Sequence, residues 1–231
     1  MITVKQLSKV YGKGEGLFTA LQNIDFTIPT GSTVAIIGKS GSGKSTLMHI
    51  ISGLDHPTAG QVLIDSTDLY AMRPREIDEF RATQMSFIFQ AFFVEANQTA
   101  FQNVALPLEI SGVALRERKK LVAEALDAVG LLDKSMVLAG NLSGGQKQRL
   151  AVARAIVNKP TILFADEPTG NLDSATGESI MALLFELNRT LGCTLVLVTH
   201  DNDLARRCQQ QITIKDGQVS SIKSTSDRRA K

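Results

Sequence analysis

The chain has 231 residues, 43% of them hydrophobic, which gives room for one sizeable domain and too little for two. Its 25 basic and 23 acidic residues leave a net charge of +2, and only 5% of residues are aromatic, so a nucleic-acid partner, which asks for a basic face and stacking platforms, is disfavoured. Cys193 and Cys208 have no paired spacing, which excludes a disulfide framework or a zinc site and fits a reducing, cytosolic compartment.

The opening residues Met1-Ile2-Thr3-Val4-Lys5-Gln6 lack the apolar run of a signal peptide. No window approaches 18 consecutive apolar residues, so a membrane role would have to come from binding a separate membrane protein. Ile2-Thr3-Val4 and Ile24-Asp25-Phe26-Thr27-Ile28 alternate apolar with polar, as half-exposed antiparallel strands do, and Val62-Leu63-Ile64 is expected to join them. Thr33-Val34-Ala35-Ile36-Ile37 is apolar throughout and reads as a buried strand, with a helix expected over 45–52. The stretch 91–140 reads as mostly helical. Val122, Ala125, Leu126 and Val129 share one helix face there, with Gly130 at the cap. Two more apolar runs, 161–165 and 194–199, complete an expected parallel sheet covered on both faces. The tail reads as a hairpin around Asp216-Gly217, followed by a polar end over 223–231 that is expected to fray.

Between the strand 33–37 and the next helix lies Gly38-Lys39-Ser40-Gly41-Ser42-Gly43-Lys44-Ser45. Glycines in this pattern let the backbone curl and bring its N–H groups against phosphate oxygens, while the helix beginning near Lys44 aims its positive end at the same charge. Lys44 is placed to reach the β- and γ-phosphates of ATP, and the Ser45 hydroxyl to ligate Mg²⁺. The strand 161–165 runs into Asp166-Glu167-Pro168. An acid at the end of a strand beside a phosphate loop is suited to holding Mg²⁺, which is the role read for Asp166. Glu167 is read as the group that polarises the attacking water.

Ser143-Gly144-Gly145-Gln146 opens a helix with apolar residues at Leu150, Ala153 and Val157. Ser-x-x-Gln is a capping box, but glycines in a helix cost about 1 kcal/mol each relative to alanine. A cap alone does not need two of them. Behind a serine cap they leave bare N–H groups at a positive helix end, a second anion site on the same chain.

Leu142-Ser143-Gly144-Gly145-Gln146 resembles the signature of ABC ATPases, and the resemblance extends over nearly the whole chain. Residues 38–46, which include Thr46, match Walker A, and 162–167 match Walker B. Gln90, after Ser86-Phe87-Ile88-Phe89, looks like the Q-loop glutamine, Asn171-Leu172-Asp173 like the D-loop, Tyr11 like the aromatic that stacks on adenine, and His200 like the switch histidine. The resemblance implies an α/β fold with a P-loop NTPase core and a mostly parallel sheet. An N-terminal antiparallel β subdomain and a helical insertion over approximately 91–145 belong to the same single domain, 1–231. It further implies a head-to-tail homodimer in the ATP-bound state, each ATP lying between Walker A of one subunit and the signature of the other, with Ser143 on the γ-phosphate held by the opposite chain. Within the site it implies that Gln90 ligates Mg²⁺ or orients water. His200, which ends a strand parallel to the Walker-B strand, would reach the γ-phosphate. Gly38, Ser40, Gly41, Ser42 and Gly43 would cradle the phosphates, with Gly144, Gly145, Gln146 and Asp173 completing the shared nucleotide site.

The spacer 12–21, Leu106-Pro107-Leu108 and the run 166–173 are similar to the MacB, LolD and FtsE group. Members pair with a separate permease of few transmembrane helices and a large extracytoplasmic domain, which places such a chain peripherally at the cytoplasmic face of the inner membrane. One departure stands out. Where the group has a leucine-proline stretch, this chain has Phe92-Phe93-Val94-Glu95-Ala96-Asn97-Gln98-Thr99. Two readings of Phe92, Phe93 and Val94 stay open, as a permease contact or as packing inside the helical insertion. Two other function classes compete with the permease-driving subunit. A soluble ABC ATPase acting on DNA or ribosomes leads one to expect a coiled-coil insertion or a second cassette. A nucleotide-binding regulator without turnover would not need Lys44, Asp166, Glu167 and His200 together.

Overall fold

The computed structural model describes residues 1–225. Two sheets form within them, and their separation follows from the two hydropathy patterns. The alternating segments build an antiparallel sheet from β1 (Ile2–Tyr11), β2 (Phe18–Ile28), β4 (Ala59–Ile64) and β5 (Thr67–Asp68), in the order β2-β1-β4-β5. The continuously apolar segments build a second sheet from β3 (Thr33–Ile37), β6 (Met85–Phe89), β7 (Ile162–Asp166), β8 (Thr194–Thr199), β9 (Gln210–Lys215) and β10 (Gln218–Ser224). Its order is β10-β9-β3-β8-β7-β6, parallel except for the terminal hairpin β9–β10.

Each parallel strand feeds two cores. Val34, Ile36, Ile162, Phe164, Val196 and Val198 face the antiparallel sheet and helix α1 (Lys44–Ile51). Ala35, Leu163, Ala165, Leu195 and Leu197 face the other way. There they meet α3 (Ala100–Ile110), α4 (Leu115–Ala128), α5 (Gly144–Ile156) and α6 (Ser174–Leu191). Strand residues with no polar side are the expected consequence of burial on both faces. Phe164, fully buried, lies in a stack with Phe87 at 5.5 Å between ring centroids. Two further helices, α2 (Pro74–Gln84) and α7 (Asn202–Arg207), join sheet strands.

Most sequence expectations hold to within a residue or two. The strands 33–37 and 194–199 form as read, and Val122, Ala125, Leu126 and Val129 are all buried. Gly130, at φ +69°, ends α4 in a Schellman arrangement, with the Leu131 N–H on the Leu126 carbonyl and its own on Asp127. The stretch 91–140 is less helical than its composition suggests. Residues 91–99 form a loop because Asn103, 1% exposed on α3, satisfies their backbone through its side chain. Its Oδ1 accepts from the Glu95 N–H at 2.8 Å, and its Nδ2 donates to the Glu95 and Thr99 carbonyls at 3.1 and 3.0 Å. Met85–Phe89 adds a strand beyond those expected, paired parallel with β7. At the other end, Lys223 and Ser224 extend β10 rather than fray, and 226–231 lie outside the described residues.

Candidate functional site

Parallel strands in the order β3-β8-β7-β6 bring four carboxyl ends side by side. Each of these ends delivers one predicted group: the phosphate loop after β3, His200 after β8, Asp166 and Glu167 from β7, and Gln90 after β6. Ligand sites of open α/β sheets form at this edge because the loops there are free of ladder hydrogen bonds. A cavity of about 800 Å³ lies over it, lined by the loop residues Ser40, Gly41, Gly43, Lys44, Ser45 and Thr46 together with Gln90, Asp166, Glu167 and His200.

The loop is wedged between two strands. A Cβ on Gly38 would stand 2.3 Å from the Ile214 carbonyl oxygen of β9, and one on Gly43 would stand 2.7 Å from the Ala20 carbonyl oxygen of β2. Gly43 (φ +102°) and Gly41 (φ +74°) also adopt left-handed backbone. Gly41 has open space around it, so a ligand can approach its backbone. Lys44 is 7% exposed and its Nζ donates to the Lys39 carbonyl at 3.0 Å, which keeps the ammonium over the loop. The Ser42 hydroxyl is buried, and its oxygen has no hydrogen-bond partner in the described structure. The left-handed glycines and the open approach to the Gly41 backbone are what fit a phosphate cradle.

Burial pushes the Asp166 carboxyl above the usual carboxylate range, against the opposing pull of the Ser45 hydroxyl, His49 and Lys44. A half-buried carboxylate hydrogen-bonded to a loop serine is a donor pair suited to Mg²⁺, a hard cation that takes a few protein oxygens plus phosphate. No cluster of three His, Cys, Asp or Glu residues able to hold a metal occurs among the described residues, so such an ion would depend on the nucleotide's own oxygens. Glu167 occupies left-handed backbone at φ +44°, a conformation that costs a non-glycine residue about 1–2 kcal/mol. Two backbone bonds hold it there, from its N–H to the Val198 carbonyl at 2.9 Å and from the Gly170 N–H to its own carbonyl at 3.0 Å. That turn swings the carboxylate away from Asp166 and toward His200, whose Nδ1 lies 3.0 Å from Glu167 Oε1.

Gln90 is latched at both ends. Its Nε2 donates to Asn171 Oδ1 at 3.2 Å, and Asn171 Nδ2 donates to the Gln90 carbonyl at 3.0 Å. Gly170 permits the contact, since a Cβ there would sit 2.8 Å from Gln90 Nε2. Asn171 was read only as part of the D-loop. Its pairing with Gln90 spans 81 residues of chain and has no local signature.

Tyr11 stands at the cavity's border rather than in its lining. Its hydroxyl donates to Asp55 Oδ2 at 2.6 Å and Lys9 Nζ lies 4.6 Å from its ring centroid. Burial and the Asp55 carboxylate raise the phenol's pKa. The aromatic ring that lines the cavity belongs to Phe18, 60% exposed and the strand partner of Tyr11 in the β1–β2 register. Sequence reasoning missed it. An exposed aromatic opposite the predicted one in an antiparallel pair was the available signal.

The signature residues lie elsewhere. Ser143 caps α5 in the expected box, its Oγ accepting from the Gln146 N–H at 3.3 Å while Gln146 Oε1 accepts from the Ser143 N–H at 3.0 Å. Ser143, Gly144, Gly145 and Gln146 line a separate concavity with Leu172 and Asp173. The structure does not bring them to the phosphate loop of the same chain. Asp173 caps α6, and its hydrogen bonds from Thr176 lower its pKa. The two glycines have different reasons to be there. A Cβ on Gly145 would meet Thr176 Cγ2 at 2.6 Å, so a larger residue at 145 would force the Thr176 side chain or the α5–α6 contact to shift. At Gly144 the nearest atoms are 3.9 Å away, and nothing inside the chain demands a glycine.

Of the three apolar residues after the Q-loop, Phe93 is 65% exposed, with its ring edge-on to Phe89 at 5.5 Å. Val94 packs against the helical core, and Phe92 is half-buried with Cζ 3.9 Å from the Cβ position of Gly144. The open choice therefore divides, with Phe93 at the surface and its neighbours inward.

Residues 21–170 match the family model described as ABC transporter. The chain is 44% identical over 228 residues to the methionine import ATP-binding protein MetN of Histophilus somni, covering 98% of this chain and 66% of that protein's length. It is 41% identical over 229 residues to the lipoprotein-releasing system ATP-binding protein LolD of Shewanella frigidimarina, covering 98% and 95%. Among solved structures it superimposes on the dimeric ABC transporter cassette MJ0796 with a TM-score of 0.87 at 42% identity, over 97% and 98% of the two chains. That cassette has also been solved as a dimer in a post-hydrolysis state bound to ADP and phosphate.

Two outcomes follow from this geometry. Gly145→Ala is expected to destabilise the protein by about 1–3 kcal/mol through overpacking. Thr176→Ser removes the clashing methyl and keeps the hydroxyl on Asp173, so in that background the same substitution should cost less, as a double-mutant cycle of urea midpoints would read. Asp166→Asn keeps an acceptor for Ser45 and removes a charge whose pKa burial has raised. Because the folded pKa lies above the unfolded one, the wild-type carboxylate subtracts from stability at neutral pH and stops doing so as pH falls through the folded value. Without metal the variant should therefore unfold at a higher temperature than wild type at neutral pH. The gap should close in acid, and Mg²⁺-dependent ATP hydrolysis should be lost.

Proposed function

Because the chain belongs to the ABC transporter family, we propose that it is the ATP-hydrolysing subunit of a membrane complex, closing on a second copy of itself around ATP and driving a separate permease. The observation that carries this reading is the separation of two anion sites on one chain, one at the phosphate loop and one at the Ser143 helix end. A head-to-tail pair joins the loop of one subunit to the signature of the other. ATP held between them favours the closed pair by the difference in its affinity for the two states.

The reaction adds water to the γ-phosphorus and breaks its bond to the β–γ bridging oxygen, leaving ADP, phosphate and a proton. Glu167 takes up the water's proton as the attack proceeds, and His200, bonded to the Glu167 carboxylate, keeps that carboxylate aimed at the γ-phosphate. Lys44 and the loop N–H groups of 38–46 neutralise charge on the transferred group. Mg²⁺ would be held by Ser45, Asp166 and Gln90 and would supply further stabilisation of the phosphate charge. Ser143 and the free N–H groups at Gly144 and Gly145 meet the γ-phosphate of the opposite chain, with Gln146 and Asp173 shaping that helix end. Tyr11 and Phe18 flank the base. The chain acts as one ATPase domain over 1–231, with a helical unit at approximately 91–145.

The permease contact is placed on the helical side. A groove of about 340 Å³ runs between β6 and α3, with Phe87, Leu106, Pro107, Ile110 and Arg154 in its walls. Ile110 is 74% exposed, and Phe93 adds a further exposed apolar group, bonded through its carbonyl to Arg154. An apolar surface of this kind suits a short cytoplasmic helix of a membrane protein. No helix of the described residues is long and apolar enough to cross a membrane. We place it at the cytoplasmic face of the inner membrane, with a permease of few spans and a large external domain, as in the lipoprotein-releasing type. The likeness of 12–21 and 106–108 to that group is what supports this choice.

Glu167→Gln is expected to bind ATP with near-normal affinity and hydrolyse it roughly 10²–10⁴-fold more slowly. In ATP it should run at twice the 25.0 kDa chain mass by light scattering. A species that stays monomeric at saturating ATP would count against the sandwich reading. The same trapped variant, recovered from detergent-solubilised membranes, is expected to carry an integral membrane protein. Adding Ile110→Glu should release that partner while leaving ATP-driven dimerisation intact. Recovery of ribosomes or DNA instead would favour a soluble role.

A further inference from the structure

Helix α5 carries Ser143 at its start, and five residues later Gln148 enters the catalytic edge of the same chain. Phe89 and Asp166 are register partners and the last residues of β6 and β7. Beyond them the backbone forks, one arm leading to Gln90 and the other to Glu167 and Pro168. Gln148, 0% exposed, fills the fork. Its Nε2 donates to the Pro168 carbonyl at 2.5 Å and to the Phe89 carbonyl at 3.5 Å.

The rest of this side chain's environment argues that the donors are what matter. Ala151, Val152 and Ala155, on the same face of α5, are buried and apolar. Gln148 Oε1 is buried with no partner in the described structure. A methionine of similar volume would fill the space without an orphaned acceptor. What the carboxamide has and methionine lacks is two N–H groups, one for each arm of the fork. Further along α5, Arg154 donates to the Phe93 and Phe92 carbonyls at 2.6 and 3.2 Å. The helix is thus bonded to the Q-loop arm at two points and to the carboxylate arm at one.

We propose that Gln148 is a positioning residue for hydrolysis, which holds the Phe89 and Pro168 carbonyls together and so fixes Gln90 relative to Glu167. It lies outside the lining of the nucleotide cavity. Because the same helix presents Ser143 to the opposite subunit, a shift of α5 on dimer closure is passed to the chain's own catalytic edge through this amide. The proposal rests on the roles assigned above to Gln90 and Glu167.

The test compares Gln148→Met and Glu167→Gln with wild type, using the full chain. The readouts are steady-state ATP hydrolysis, equilibrium binding of a fluorescent ATP analogue, and thermal unfolding. Gln148→Met is expected to lower kcat by roughly tenfold or more, with KM and analogue affinity within about twofold of wild type and an unchanged unfolding temperature. A wild-type kcat in Gln148→Met, with Glu167→Gln inactive, overturns the proposal alone. Normal hydrolysis by Glu167→Gln would instead remove the reading on which it rests.

If Gln148→Met loses kcat and thermal stability together, Gln148→Glu decides. A carboxyl buried against two carbonyl oxygens has a raised pKa, and its protonated form returns one O–H donor to the fork. Its activity relative to Gln148→Met should rise as pH falls from about 8 to about 6. A ratio that stays flat over that range overturns the proposal.

Discussion

Gly38 and Gly43 bracket a loop that passes between the Ile214 carbonyl of β9 and the Ala20 carbonyl of β2, at separations with no volume for a Cβ. The rest of the site is built around that wedge. The antiparallel sheet supplies one wall and the end of the parallel sheet the other, so the phosphate cradle is a junction between two differently patterned parts of the chain. Its rigidity has a functional reason. Backbone N–H groups bind phosphate well only if they need not reorganise when it arrives. A loop fixed by carbonyl contact on both sides meets that condition before any ligand binds.

The parallel sheet contributes position rather than chemistry. Four neighbouring strands end at one edge, and each needs to offer only one or two side chains to assemble a cavity with loop, acids, histidine and glutamine. Asp166 and Glu167 show how adjacent acids acquire different tasks. Asp166 ends its strand in regular conformation, half-buried beside Ser45. Glu167 adopts left-handed backbone, and its side chain leaves the strand direction for His200. The strain of that turn is offset by two backbone hydrogen bonds, so a local conformational cost separates the metal-holding role proposed for Asp166 from the water-handling one proposed for Glu167.

Helix α5 links the two halves of the proposed cycle. Its N-terminus faces away from its own nucleotide cavity, and its buried face holds the fork from which Gln90 and Glu167 emerge. The anion site proposed there cannot reach its own phosphate loop, and in the proposed pairing it becomes complete when a second chain supplies the phosphate. The groove beside α3 lies against the same segment through Arg154, so the proposed permease contact, the Q-loop and the signature helix share a short chain of hydrogen bonds.

The sequence by itself determined the phosphate loop, the strand-borne carboxylates, the capped signature helix and the mostly parallel sheet. Each is encoded locally, by spacing, by periodicity or by the residue types a turn demands. The tertiary structure decided what depends on distant segments meeting. The pairing of Gln90 with Asn171, the entry of Gln148 into the fork, and the division of Phe93 from Phe92 and Val94 all join residues far apart in the chain, or turn on which neighbour covers them. It also added a second reason for one glycine. Both glycines after Ser143 leave N–H groups bare at the helix end, and Gly145 in addition makes room for the Thr176 methyl of α6, whereas Gly144 has no such packing reason. The place of Phe18 in the cavity and the partner of Asn171 escaped notice for the same cause. Burial and contact are properties of the folded neighbourhood, and a linear pattern records them only where a residue's neighbours in space are also its neighbours in sequence.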